Sequence, residues 1–248
     1  MDTETLIELN NVNVAHAEDN ERVLIREVNW TIQRGEFWII GSSGGGGISS
    51  LLTTAAGLNR PQSGTVRLGA LDAMAATEAD RIEWRRRVGF VFEGGGRLLS
   101  TLTLAENIAL PLEYNTAMTE AEIDEHVAKL LDRVGLSAHA HTPMARITPH
   151  WQQRAGFARA TVLPREILFV DKPPAGRETR DARWWHEALC EQHKQGVTII
   201  VGTNDFAAWL DVANHFALVR EERFATLRSS DEVLAATDET LRELLMVK

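Results

Sequence analysis

Apolar and polar residues alternate over positions 6–14, and more loosely over 23–32, where Arg34-Gly35 supplies a turn. That period of two predicts a pair of antiparallel strands. A nearly unbroken apolar run at 36–40 then enters the glycine-rich stretch 41–47, and a helix-like pattern follows at 49–58. The order is strand, glycine loop, helix. Pro61-Gln62-Ser63-Gly64 reads as a turn, 65–68 as a short strand, 78–87 as a charged helix and 88–92 as a buried strand.

Between 94 and 159 the texture changes, and 105–114, 119–134 and 152–161 all read as helices. Thr119 with Glu122 three residues on forms a capping box for the middle one, and Gly135 ends it. Strand texture returns at 167–170 and 197–201, on either side of a helix at 179–195 whose Trp184, Trp185 and Leu189 make an apolar side. These tryptophans and Trp209 read as packing. The tail offers strands at 216–219 and 224–227 and a closing helix at 238–246. Strands alternating with helices predict an α/β fold with a mostly parallel sheet, an N-terminal antiparallel β part and a helical insert.

With 248 residues, 44% hydrophobic and 25% charged, the chain can bury one sizeable core. A formal net charge of -9 gives no electrostatic case for nucleic acid as a partner. The single cysteine, Cys190, cannot form an internal disulfide, and the first residues hold no apolar run of the secretory kind. A cytoplasmic chain is expected. Its eight histidines lack metal-ligand spacing; His139 and His141 stand two apart with no cysteine cluster nearby.

Set in one line, four stretches resemble the ATP-binding subunits of ATP-binding cassette (ABC) transporters over essentially the whole chain. They are Ala56-Gly57-Leu58 after the glycine loop, Glu106 to Leu112, Gln152-Gln153-Arg154 through Ala158-Arg159-Ala160, and Ile167 to Asp171 with Pro173 and Gly176. Residues 92–112 look most like cassettes of the Mla and Mce type. The resemblance implies a P-loop NTPase, RecA-like core made of 1–93 and 162–248, and a helical subdomain at 94–161, within one nucleotide-binding domain. It also implies ATP and Mg²⁺ as cofactors, an integral-membrane permease and a second cassette subunit as partners, and a peripheral place on the inner face of the membrane.

The family's chemical positions are where this sequence departs. A phosphate loop of the form G-x-x-x-x-G-K-[ST] cradles phosphates with backbone N–H groups and reaches them with its lysine. Here Gly41, Ser42, Gly44, Gly45, Gly46 and Gly47 are followed by Ile48, Ser49 and Ser50, and the only lysines are Lys129, Lys172, Lys194 and Lys248. The glycines still suit an anion nest; the charge is missing. Ser49 and Asp171 retain both halves of a magnesium site. Lys172 takes the place of the glutamate that acts on the attacking water, and an ammonium cannot accept a proton. It could instead put a cation beside the γ-phosphate.

Glu93 replaces the metal-sensing glutamine, and Asn204 the histidine that contacts the γ-phosphate. The signature stretch reads Ile147-Thr148-Pro149-His150-Trp151, where bulk excludes the close backbone approach that glycine permits. His16 is the residue nearest the place of the aromatic that stacks on adenine. Arg177 and Glu178 stand where the family carries an inter-site aspartate, and Glu93, Leu98, Leu99 and Leu102 where it meets the permease. The expectation is a permease-docking subunit that binds ATP weakly and does not hydrolyse it at its own site. Two alternatives stand beside it: an active transport ATPase with an atypical site, and a soluble scaffold or regulatory protein derived from a cassette.

Overall fold

Strand β3 (Phe37–Ser42) shows how the sequence builds two apolar layers. Phe37 and Ile39 join one buried cluster, while Trp38 and Ile40 join the other. β7 (Ile167–Asp171) divides in the same way, with Leu168 and Val170 on one side and Ile167 and Phe169 on the other. Side chains alternate across a strand, so a continuous apolar run marks a strand covered on both faces. The computed structural model describes residues 4–16, 19–42, 46–95, 97–174, 179–227, 229–235, 241, 242 and 245.

Among these, β3, β6 (Val88–Val91), β7, β8 (Thr198–Thr203) and β9 (His215–Arg220) lie parallel in the order β9-β3-β8-β7-β6. The antiparallel strands β1 (Thr5–His16), β2 (Asp19–Gln33), β4 (Ser63–Leu68) and β5 (Leu71–Asp72) continue the sheet. They join it through β10 (Arg223–Leu227), which pairs with β9 and bridges to β2 at Arg26. The expected α/β architecture, mostly parallel core and N-terminal antiparallel part are all present. α1 (Ile48–Ala55) packs on the layer that contains Trp38 and Ile40.

Between β6 and β7 the chain forms α3 (Leu104–Asn115), α4 (Glu120–Arg133) and α5 (Pro149–Thr161), preceded by α2 (Glu78–Arg87) before β6. α2, α3 and α4 each begin with a complete capping box, on Thr77, Thr103 and Thr119. α4 ends where Gly135 takes φ 71°. α6 (Arg180–Lys194) links β7 to β8 and buries Trp185 and Leu189.

Three boundaries differ from the sequence reading. α1 stops at Ala55, and Gly57 turns the chain at φ 72°, with Leu68 so close that a Cβ there would stand 2.6 Å from its Cδ1. α5 starts at Pro149 because proline's fixed φ suits a first helical position, where the missing N–H costs no hydrogen bond. A short helix α7 (Ser230–Ala235) follows β10. Of the expected helix at 238–246, Leu241, Arg242 and Leu245 are described and helical.

Trp185 and Trp209 are buried in the core as expected. Trp184 is half-buried and lines a cavity of about 360 Å³ with Leu130, Phe157 and Ala188. No helix of the described residues is long and apolar enough to cross a membrane.

Candidate functional site

The ends of β3, β8, β7 and β6 lie side by side, and the segments leaving them bring Ser42, Thr203, Asp171 and Glu93 to one edge of the sheet. Clefts at the carboxyl ends of parallel strands are the usual ligand sites of such sheets. Ser42 is buried, and its Oγ accepts from the Gly46 N–H at 3.2 Å. Gly47 takes the left-handed conformation at φ 84° and opens α1 without a side-chain cap. Its N-cap carbonyl accepts from Leu51 N at 2.8 Å. Gly44 and Gly45, expected to complete the nest, lie outside the described residues, as do Gly176, Arg177 and Glu178.

Ile48, expected among the nucleotide-binding residues, turns its side chain into the core, so what it has to offer a phosphate is its backbone N–H. Its side chain is 1% exposed and packs into the core, with Cγ2 at 2.5 Å from where a Cβ on Gly202 would stand. An apolar side chain at the first turn of α1 gains more from the α1–β8 contact than from an anion loop. Ser50 lies on the buried side of the same helix, where its carbonyl accepts from Thr53 Oγ1.

Asp171 closes β7 with 3% exposure, and its Oδ1 is buried without a hydrogen-bond partner. Burial pushes its carboxyl above the usual carboxylate range; the Ser49 hydroxyl and the Lys172 charge oppose this, and Glu93 adds to it. A carboxylate oxygen left unpaired beside a hydroxyl is a donor set that a hard cation such as Mg²⁺ takes. The residues present therefore fit the ion on this side. When bound, Mg²⁺ would neutralise charge between Asp171 and a phosphate.

The family resemblance offers Lys172 as a cation for the γ-phosphate and puts Glu93 at the metal-sensing and permease-facing position. The structure pairs them with each other: Lys172 Nζ donates to Glu93 Oε2 at 2.9 Å. Both side chains are partly exposed, so the pair is of the modest, solvent-screened kind. Lys172 holds φ 45°, and its N–H donates to Gly202 O at 2.8 Å.

Gln153, matched as scaffold but given no task from sequence, reaches the same point from α5. Its Nε2 donates to Asp171 O at 3.0 Å and to Lys172 O at 3.2 Å, with Phe92 O at 3.5 Å. The adjacent carbonyls it ties are backbone groups, so no side-chain pattern could have announced the contact. Asn204 is exposed after β8, between Thr203 and Asp205, and the Asp205 N–H donates to Thr203 Oγ1. His16 is half-buried at the end of β1 in register with Asp19.

At the signature position Ile147 is buried, Thr148, Pro149 and His150 are exposed, and Trp151 is half-buried. Thr148 Oγ1 lies 3.1 Å from His150 Nδ1 and does not cap α5. The Arg154 guanidinium lies over Trp151 at 4.9 Å and Trp184 at 4.2 Å, and donates to Asp181 Oδ1 of α6. Among the leucines expected to meet a permease, Leu99 is 48% exposed, Leu98 packs against the core and Leu102 is half-buried. Asn107, fully buried, donates to Leu99 O and Thr103 O and accepts from Leu99 N, which fixes that loop.

The sequence pattern of the family described as ABC transporter matches residues 25–175. The uncharacterized ABC transporter ATP-binding protein YvrO of Bacillus subtilis is 30% identical over 202 residues, covering 81% of this chain and 87% of that protein. Methionine import ATP-binding protein MetN 1 of Burkholderia lata is 35% identical over 79% of this chain and 56% of its own length. MetN of Bordetella pertussis is 32% identical over 93% of this chain and 64% of its own. The chain thus spans between about half and two thirds of the length of these methionine-import relatives.

Among solved structures, dimeric MJ0796, titled a bacterial ABC transporter cassette, superposes with a TM-score of 0.80 at 24% identity, covering 90% of this chain and 98% of that one. CbiO1 of Clostridium perfringens, titled as part of the ABC transporter complex cbiONQ, gives 0.73 at 23% identity over 94% and 91%. At these identities the likeness shows the fold.

Proposed function

The chain belongs to the ABC transporter family of ATP-binding subunits, and from that premise we propose that it docks on an integral-membrane permease and does not hydrolyse ATP at its own site. The observation that carries this reading is the Lys172–Glu93 pair. The residue after Asp171, where the family resemblance expects a proton acceptor, is Lys172, and its ammonium is paired with the Glu93 carboxylate. Losing a general base removes a factor of about 10²–10⁴ in rate. With Ile48 in the core, the phosphate loop also lacks a cation, which supports weak binding of Mg-ATP.

In this reading the subunit works beside a second cassette, identical or different, on the inner face of the membrane. Residues 94–161 act as the helical arm and 1–93 with 162–248 as the core of one nucleotide-binding domain. Exposed Leu99, on a loop fixed by Asn107, supports that loop as the permease-facing surface. The methionine-import relatives support import as the direction of transport, and they match over a longer stretch than the Mla and Mce likeness at 92–112.

Phosphate release from Mg-ATP by the purified chain, with Asp171→Ala as the control, tests the proposal. Equal rates are expected. Turnover that Asp171→Ala abolishes would establish the second reading, an active ATPase with an atypical site, which the unpaired Asp171 Oδ1 favours. Calorimetric titration with Mg-ATP is expected to give affinity no tighter than the millimolar range.

A further inference from the structure

Three ties meet where the loop after β6 crosses the end of β7. The first is the Lys172–Glu93 ion pair at 2.9 Å, with side chains 29% and 56% exposed. The second is Gln153, 3% exposed, whose amide reaches carbonyls on both segments. An amide has two N–H groups, so three carbonyls at 3.0–3.5 Å share them, and the geometry holds only while both segments stay in place. The third is Gly95 at φ 74°, which lies directly on α5: a Cβ there would stand 2.4 Å from the Gln152 carbonyl carbon. The loop, α5 and the β7 edge are thereby joined by the chain's own groups.

Lys172 is held in the left-handed region while its N–H is fixed to Gly202 O, which aims its stem from a defined point. Glu93 opens the turn 93–95 that leads to the segment carrying Leu99. The far end of that segment is pinned by Asn107. A fixed charge at one end and a buried amide at the other leave residues 97–103 few alternatives.

We propose that the Glu93–Lys172 pair, with Gln153 of α5 tied to the backbone on both sides of it, forms a latch that fixes the root of the helical insert at the end of β7 independently of nucleotide, so that the loop 97–103 keeps one conformation throughout. This rests on the reading of a subunit without turnover, and gives it a physical purpose: contacts that a nucleotide would otherwise organise are supplied by a salt bridge.

Amide hydrogen exchange of the full chain over 93–103, without nucleotide and with excess Mg-ATP, tests the latch. Wild-type protection is expected to be the same in both conditions. Glu93→Gln and Lys172→Gln should each exchange about two- to fivefold faster, the range an exposed pair commands. The swapped double variant Glu93→Lys/Lys172→Glu should return to the wild-type rate. High salt should accelerate the wild type and leave the Gln variants unmoved, which reads the pair even where a variant folds poorly.

Single variants that exchange like wild type, a swap that fails to restore, or protection altered by Mg-ATP would each overturn the latch. Phosphate release by the wild type would overturn the functional reading instead, and it leaves the nucleotide-free exchange result standing.

Discussion

Ile48 lies over Gly202, so close that a methyl group on Gly202 would meet Ile48 Cγ2 at 2.5 Å and Leu52 Cδ1 at 3.0 Å. The residue at the start of α1 and the residue near the end of β8 thus share one volume. Gly202→Ala is expected to destabilise the fold by about 1–3 kcal/mol, the usual cost of overfilling a packed core. Adding Ile48→Ala should recover part of that loss. A denaturation double-mutant cycle measures the coupling, and additive effects would mean that Ile48 does not occupy this space.

If the proposed reading of a subunit without turnover holds, charge decides what would be needed to build turnover into this cleft. Lys172→Glu alone would set two carboxylates where an ion pair now stands, with no cation at Ile48 to draw a phosphate in. No phosphate release is expected from it. The triple variant Ile48→Lys/Glu93→Gln/Lys172→Glu supplies cation, neutral amide and proton acceptor together. It should release phosphate at least about tenfold faster than the same variant carrying Asp171→Ala, in a steady-state assay.

The sheet was readable because its strands are covered on both faces: runs such as Ile167 to Val170 and Ile199 to Val201 have few other interpretations. Capping boxes are local, so the start of α4 at Thr119 could be placed from four residues. The residue types at Ile48, Glu93 and Lys172 were also legible, and their reading as departures rests on the family resemblance. Their consequences were not. That Lys172 turns to Glu93 depends on two residues 79 positions apart meeting at a sheet edge. That Ile48 is core depends on Gly202 being small, a matter of volume across α1 and β8 that no spacing reveals.

Glu166 anchors the opposite end of the sheet. Its carboxylate accepts from Arg87 Nε and Nη2, both at 2.7 Å, and from Arg34 Nη2. The Arg87 hydrogen bonds, with Arg34 behind them, hold its carboxyl below the usual range despite partial burial. A depressed acid contributes stability above its unfolded value near 4.5, and the contribution is lost as pH falls through the folded value. Glu166→Gln should therefore cost about 1 kcal/mol or less at pH 7, after screening by solvent, and nothing in strong acid. Urea midpoints across pH 3 to 7 check it.

Asp171 predicts the reverse slope. Burial raises its carboxyl, so folding disfavours the ionised form, and Oδ1 has no partner to offset that cost. A raised acid contributes its stability below the unfolded value of 3.8, and that contribution disappears as pH rises through the folded value. Burial outweighs the Ser49 hydroxyl and the Lys172 charge, so Asp171→Asn removes a group whose ionised form the fold disfavours, and the variant should be more stable at pH 7 by about 1 kcal/mol. The gain should shrink to zero as pH falls below the ordinary carboxylate range. Mg²⁺ reverses the comparison at neutral pH if it binds this oxygen, because only the wild type can be stabilised by it. Thermal melts of both proteins, at two pH values and with and without Mg²⁺, separate the cases. A variant less stable than wild type at pH 7 without Mg²⁺ would show that the Ser49 and Lys172 interactions outweigh burial.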